Sequence, residues 1–231
     1  AGVPPADAAL APDAVVPPPD GHGSPDAGTP TAPDAGTGVG NGLTFDAQGR
    51  LVACEHGDRR ISRLEPRGGK ITLADGHQGK RFNSPNDLVI AADGAIYFTD
   101  PPYGLTKTFD DPGREIGWNG VYRLAPDGRV SVLVKDIKAP NGIGLSPDGR
   151  TLYVGQSDPA RPVVMAYDLA KDGSASNGRV FFDTLPLRKN GPGAPDGLKV
   201  DREGNVFTTG PGGVLVLTPK GEYLGTIVTG V

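Results

Sequence analysis

The stretch Asn141-Gly-Ile-Gly-Leu-Ser-Pro-Asp-Gly149 decides the fold, because the chain contains it in four variants. Each variant starts with Asn or Asp, alternates apolar residues with others, and reaches a Gly eight residues later. Alternation with a period of two is typical of a β-strand, and the Gly then allows a tight turn. The other three copies are Asn41-Gly-Leu-Thr-Phe-Asp-Ala-Gln-Gly49, Asn86-Asp-Leu-Val-Ile-Ala-Ala-Asp-Gly94 and Asp196-Gly-Leu-Lys-Val-Asp-Arg-Glu-Gly204.

Further strands are predicted after each copy. The starts of the copies lie 45, 55 and 55 residues apart, which is the length of a four-stranded propeller blade. We therefore expect an all-β fold with about four blades over residues 41–231 and no substantial helix. The predicted second strands are 51–54, 95–99, 151–154 and 205–208, and the later ones are 120–124, 130–134, 163–167, 178–182, 213–217 and 223–228.

Residues 1–40 differ in composition from the rest of the chain. They contain five Asp, no Lys, Arg or Glu, no aromatic residue, and much of the Gly and Pro. Such a segment buries too little apolar surface to offset the entropy of ordering it. We expect a disordered tether behind an export signal or lipid anchor, with a dispensable tail on a cytoplasmic protein as the alternative.

Charge and cysteine content exclude several classes of protein. The formal net charge is −4, and the five Asp of residues 1–40 leave the rest of the chain close to neutral. A near-neutral domain favours neither nucleic acid nor an anionic membrane surface as partner. No apolar run is long enough for a membrane span, and the single Cys54, in an apolar strand, is expected to be a buried, inert thiol.

The first residue of each repeat is the main candidate site residue. First strands line the channel of a propeller, so Asn41, Asn86, Asn141 and Asp196 are expected in a ring at one mouth. Amide and carboxylate oxygens suit Ca²⁺ or Mg²⁺ better than zinc. The alternative is that each residue only caps a turn at the strand entrance.

Five ordered motifs carry a family resemblance. They are Gly42–Gly57, Asn83-Ser-Pro-Asn-Asp-Leu-Val89, Ile96-Tyr-Phe-Thr-Asp-Pro-Pro-Tyr-Gly104, Ala139-Pro-Asn-Gly142 and Ala194-Pro-Asp-Gly197. With these motifs, residues 41–231 resemble the SMP-30/gluconolactonase/LRE-like family. The resemblance implies a six-bladed propeller that hydrolyses sugar lactones or related esters with one divalent cation in the channel.

The resemblance also implies residue roles. Asn141 and Asp196 match metal ligands, and Asn86 matches a residue that contacts substrate or a coordinated water. We expect Ca²⁺, with Mg²⁺, Mn²⁺ or Zn²⁺ as alternatives. Asp196 is the expected catalytic residue, because a carboxylate held there could orient or deprotonate the attacking water. Asp87, Asp100 and Tyr103 are further candidates for substrate binding, and Asn41, Glu55 and His56 are weaker ones.

Two departures from the family keep other functions open. The Glu of a first-blade Glu-Gly-Pro motif, the third ligand in the family, has no counterpart, and the sequence stops where a closing blade is expected. These departures fit a part of a six-bladed protein with impaired metal binding. The alternatives are a non-catalytic binding propeller, or an esterase or phosphotriesterase on the same scaffold. Open blade edges also predict self-association as a possible partner interaction.

Overall fold

The computed structural model describes residues 40–228, and four antiparallel four-stranded sheets account for most of them. In each sheet, neighbours along the chain are neighbours in space. Blade 1 comprises β1 (Gly40–Phe45), β2 (Leu51–Glu55), β3 (Arg60–Leu64) and β4 (Lys70–Ala74). A short hairpin not predicted from the sequence, β5 (Gly76–His77) and β6 (Lys80–Arg81), follows it.

The other three blades repeat this meander. Blade 2 comprises β7 (Leu88–Ile90), β8 (Ile96–Asp100), β9 (Gly120–Leu124) and β10 (Val130–Val134). Blade 3 comprises β11 (Pro140–Leu145), β12 (Thr151–Gln156), β13 (Val163–Leu169) and β14 (Ala175–Asp183). Blade 4 comprises β15 (Leu198–Val200), β16 (Val206–Gly210), β17 (Gly213–Leu217) and β18 (Tyr223–Ile227).

The sheets are arranged as a four-bladed β-propeller, so the predicted fold class is confirmed. Helix within residues 40–228 is confined to two short 3-10 turns, Thr108–Asp110 and Leu185–Asn190, and no helix there could span a membrane. The predicted tether lies outside the described residues, apart from Gly40, which begins β1.

The hydrophobic core lies between the blades. One buried cluster joins blades 1 and 2, a second joins blades 2 and 3, and a third joins blades 3 and 4. Cys54 belongs to the first cluster and is fully buried, as expected. The outer faces of the end blades remain apolar and open, since Phe45 on β1 is 68% exposed and Leu224 on β18 is 62% exposed. Self-association through these faces stays a prediction.

A central cavity of about 130 Å³ shows that the four first strands share one axis. Thr44 of β1, Leu88 of β7, Ile143 of β11 and Leu198 of β15 all line it. The first strands therefore line a common channel, as the repeat predicts.

The first strands approach one another so closely that glycine is required at their starts. A Cβ at Gly42 would lie 2.6 Å from the Asp87 Cα, and a Cβ at Gly142 would overlap the Asp196 carbonyl oxygen. Both contacts are with backbone, which cannot move aside as a side chain can.

We predict that Gly142→Ala destabilises the protein by about 1–3 kcal/mol, because the added methyl forces blades 3 and 4 apart. Thermal denaturation should show a melting temperature lower by about 2–4 °C per kcal/mol. Gly117→Ala is the control, because a Cβ at Gly117 meets no atom within 4 Å. Equal melting temperatures for the two variants would contradict this account of the interblade contact.

Candidate functional site at the channel mouth

Backbone hydrogen bonds place the first residues of the repeats side by side around the channel. The Gly42 amide donates to the Asn86 carbonyl over 2.7 Å, and the Gly142 amide donates to the Asp196 carbonyl over 2.9 Å. Between them, the Thr99 hydroxyl donates to the Asn141 carbonyl over 2.7 Å. Asn86, Asn141 and Asp196 therefore follow one another at the mouth of the channel on three adjacent blades.

Bulges in two of the first strands set the direction of the Asn side chains. The register of β1 shifts between Gly40 and Leu43, and that of β11 shifts between Pro140 and Ile143. A bulge bends a strand locally and re-aims a side chain. The Asn-Gly pairs at 41–42 and 141–142 lie within these two bulges. The recurrence of a polar residue followed by Gly at these strand starts therefore coincides with the bulge.

The Asn141 side chain has one satisfied and one unsatisfied end. Its Nδ2 donates to the Ser157 hydroxyl over 2.9 Å, whereas its buried Oδ1 has no hydrogen-bond partner among residues 40–228. Leaving a buried acceptor unpaired costs roughly 1–3 kcal/mol. Such an atom at the mouth of a channel is suited to accept a ligand.

Asp196 is exposed next to Asn141 and is held by its backbone. Its amide donates to the Thr209 hydroxyl over 2.9 Å, and that hydroxyl donates to the Ala194 carbonyl over 3.0 Å. The carboxylate belongs to an exposed residue, so water can reach it.

Asn86 is buried beside the same mouth. Its backbone amide donates to the Thr99 carbonyl over 2.8 Å, and the residue is 4% exposed. No three His, Cys, Asp or Glu side chains within residues 40–228 are placed to hold a metal ion. A cation at this mouth would therefore need the amide oxygens of Asn residues together with Asp196.

Asp87 lies deeper in the channel, where it joins three blades. Its carboxylate accepts hydrogen bonds from the amides of Leu88, over 2.9 Å, and Ile143, over 3.2 Å. Lys199 of blade 4 lies 3.7 Å away. Burial raises the pKa of Asp87, and Lys199 opposes this rise. The structure gives this carboxylate interblade partners, so its contact with a substrate stays a prediction.

The structure corrects the expected role of Asp100. The residue is completely buried, and its two carboxylate oxygens accept hydrogen bonds from the amides of Asn83 and Ser84, each over 2.8 Å. A side chain without exposed surface cannot touch a substrate. Asp100 instead supports the loop that leads to Asn86, and Ser84 in turn binds the Gly104 amide next to Tyr103 over 2.8 Å.

Glu55 is likewise engaged by other residues of blade 1. Its carboxylate pairs with the Arg60 guanidinium at 2.6 Å and with the Lys70 ammonium at 2.5 Å. Burial alone would raise the pKa of Glu55, but hydrogen bonds from Lys70 and Arg60 outweigh it, so the pKa is lowered. Both oxygens of Glu55 are therefore engaged within blade 1, and its contact with a substrate stays a prediction.

Tyr103, His56 and Asn41 form the rim on the side of blades 1 and 2. The Asn41 amide nitrogen lies 3.1 Å from Nε2 of His56, and burial lowers the pKa of His56. A Cβ on Gly104 would come within 2.7 Å of the His56 Cβ, so glycine lets the turn after Tyr103 close onto His56.

The Tyr103 hydroxyl is the second unsatisfied group at the mouth. It is buried beside Ser157 without the geometry of a hydrogen bond to any residue within 40–228. Burial raises the pKa of Tyr103 to about 12, with the Asp196 and Asp158 carboxylates adding to the rise and Ser157 opposing it. The phenol is therefore protonated at neutral pH and can donate a hydrogen bond.

The family model that matches this chain is the SMP-30/Gluconolactonase/LRE-like region, over residues 24–231. The chain belongs to this family. A gluconolactonase of Zymomonas mobilis is 40% identical over 190 residues, which cover 81% of this chain and 53% of that protein. The match to the family model begins at residue 24, within the predicted tether.

Solved structures agree with this membership. A gluconolactonase from Xanthomonas campestris is 40% identical, with a TM-score of 0.74, and the match covers 84% of this chain and 63% of that one. A luciferin-regenerating enzyme, 20% identical with a TM-score of 0.63, shares the fold alone. The chain spans about half the length of the curated family member from Zymomonas mobilis.

Sequence reasoning missed Ser157, Thr99 and Thr209. Each lies within one residue of the end of a second strand, and each makes a hydrogen bond at or just before the start of a first strand. In a meander, the end of the second strand lies opposite the start of the first strand. Polar residues at the ends of the predicted second strands could therefore have been recognised as neighbours of the candidate site. Pro140 opposite Gln156 is an example.

Replacing Asp100 tests the electrostatics beneath the site. Burial raises the pKa of Asp100 from 3.8 to about 7, so between these values the folded chain keeps a proton that the unfolded chain has released. The contribution of Asp100 to the free energy of unfolding then falls as the pH rises, by at most about 1.4 kcal/mol per pH unit. Urea unfolding at pH 5, 6 and 7 should show this slope in the original chain relative to Asp100→Asn. A difference between the two proteins that is independent of pH would contradict it.

Proposed function

We propose that this chain belongs to a hydrolase that opens sugar lactones with a divalent cation at the channel mouth. The observation that carries the proposal is the buried Oδ1 of Asn141, which has no hydrogen-bond partner in the described part of the chain, next to the exposed Asp196. The gluconolactonase relatives at 40% identity support the substrate class.

The donor chemistry at the mouth fits a hard cation. Amide and carboxylate oxygens are the ligands that Ca²⁺ prefers, and it tolerates irregular geometry and water in its shell. Asn141 and Asp196 would hold the ion, with Asn86 beside them. A bound ion of this kind polarises a carbonyl oxygen and stabilises negative charge that develops on it.

The remaining chemistry falls to side chains of the chain. Asp196 would accept a proton from the water that adds to the lactone carbonyl, which needs a carboxylate open to solvent. The ring C–O bond would then break, the ring oxygen would take the proton held by Asp196, and a hydroxy acid would be released. Asn86 and the Tyr103 hydroxyl would contact oxygens of the substrate.

We predict that Asp196→Asn and Asn141→Ala each lower kcat/KM for an aldonolactone by about 10²-fold or more, because the first removes the base and the second a cation ligand. Turnover is followed by titrating the acid released, with aryl esters as comparison substrates. Asp127→Asn, an exposed residue in the turn between β9 and β10, is the control and should retain activity. Full activity of Asp196→Asn would exclude the proposed base, and preference for the aryl ester would favour an esterase.

Replacing Tyr103 separates function from stability. Tyr103→Phe should lower kcat/KM by about tenfold, the value of one hydrogen bond of about 1.4 kcal/mol. Its melting temperature should not fall, because the hydroxyl makes no hydrogen bond within residues 40–228 that the substitution could remove. Tyr122→Phe is the matched control. It removes a buried hydroxyl that likewise has no hydrogen-bond partner among the described residues, but from the core between blades 1 and 2, and it should leave activity unchanged. A loss of stability without a loss of activity in Tyr103→Phe would refute the assignment.

A further inference from the structure

Ser157 connects two groups at the channel mouth. It follows β12, and its hydroxyl lies 2.9 Å from Nδ2 of Asn141 and 2.6 Å from the carbonyl oxygen of Pro195. Pro195 immediately precedes Asp196. One hydroxyl therefore touches the side chain of one proposed ligand and the backbone just before the other.

The direction of each hydrogen bond follows from the chemistry of the partners. A carbonyl oxygen can only accept, so the single proton of the Ser157 hydroxyl is donated to Pro195. The oxygen of Ser157 then has only lone pairs to offer to Asn141. Because of this, the amide of Asn141 must present its N–H group to Ser157.

Fixing the nitrogen also fixes the oxygen. With Nδ2 facing Ser157, Oδ1 points the other way, and this is the buried atom that lacks a partner within residues 40–228. The reversed amide would bring its oxygen against the lone pairs of Ser157. It would also present N–H donors, which repel a cation, on the side where an acceptor now lies.

The geometry assigns Ser157 as a positioning residue that holds the amide of Asn141 with its oxygen towards the cation. This inference rests on the proposed function, since it concerns the cation site of that function. Partners that orient a metal ligand from behind typically contribute 10–100-fold to metal affinity. Ser157 acts through Asn141 and touches neither cation nor substrate.

The same hydroxyl couples blades 3 and 4. Ser157 belongs to blade 3 and Pro195 leads into blade 4, where the Asp196 carbonyl also receives the Gly142 amide. The orientation of Asn141 and the position of Asp196 are thus set by one hydrogen-bonded chain. Loss of the hydroxyl frees the amide to rotate while the backbone bond from Gly142 remains.

The test measures Ca²⁺ binding by titration calorimetry, which does not depend on turnover. Ser157→Ala is expected to lower Ca²⁺ affinity about 10–100-fold. Ser157→Thr keeps the hydroxyl at a partly exposed position and should restore affinity close to that of the original chain. Ser131→Ala, at an exposed serine on β10, is the control and should bind normally. Equal affinities for Ser157→Ala and the original chain would overturn the inference.

A second background separates orientation from general stability. In Asn141→Asp the side chain has two equivalent oxygens, so one faces the cation whichever way the group is turned. Adding Ser157→Ala to this background should cost little affinity. The same loss in both backgrounds would show that Ser157 only holds the blades together, and it would overturn the inference even if melting temperatures are unchanged.

Assaying the original chain keeps the two proposals apart. Ca²⁺ binding that depends on Ser157, without lactone hydrolysis, would overturn the proposed function and support the role of Ser157. Lactone hydrolysis together with a Ca²⁺ affinity that Ser157→Ala does not change would support the proposed function and overturn the role of Ser157. An original chain that fails to bind Ca²⁺ at millimolar concentration would overturn both.

Discussion

The close approach of backbones at the starts of the first strands is the constraint on which the rest of the structure depends. At Gly142 the chain of blade 3 comes so near to blade 4 that no Cβ fits, and its amide bonds to the Asp196 carbonyl. Gly42 makes the equivalent contact between blades 1 and 2. Because these contacts are made by the residues that follow Asn41 and Asn141, and their acceptors are the carbonyls of Asn86 and Asp196, packing of the blades also assembles the site. A change that loosens the ring also disperses the site.

Buried carboxylates reinforce this arrangement at an electrostatic cost. Asp100 has no exposed surface and its pKa is raised to about 7, so at neutral pH it is charged only at the expense of stability. In return it binds two amides of the loop before Asn86. Asp87 does the same between blades, with Ile143 and Lys199 as partners. These two carboxylates lie beneath the mouth and hold the loops above it in place by accepting hydrogen bonds from backbone amides. An apolar side chain could not accept those hydrogen bonds.

The sequence predicts the strands better than the roles of single residues, and the reason is physical. Alternation and turn glycines are local, so the repeat places most strands to within a residue or two, as for Thr151–Gln156. The role of a polar side chain depends on partners that are distant in the sequence and lie on other strands. Glu55 is neutralised by Lys70 of an outer strand, and Ser157 acquires its importance only when blade 4 folds against it. The same position of the repeat is buried as Leu88 and exposed as Leu43, because blade 2 is packed between two described blades and blade 1 is not.

Buried polar atoms without hydrogen-bond partners lower the free energy of unfolding, and their location shows where the fold is less stable than it could be. Asn141 Oδ1 and the Tyr103 hydroxyl are both buried without partners in the described part of the chain, at about 1–3 kcal/mol each. One is an acceptor and the other a donor, and the residues that carry them both adjoin Ser157. A cation would satisfy the acceptor, and a carbonyl oxygen beside that cation would satisfy the donor. A lactone bound at a cation would present both at once, so the two unsatisfied groups support the proposed function.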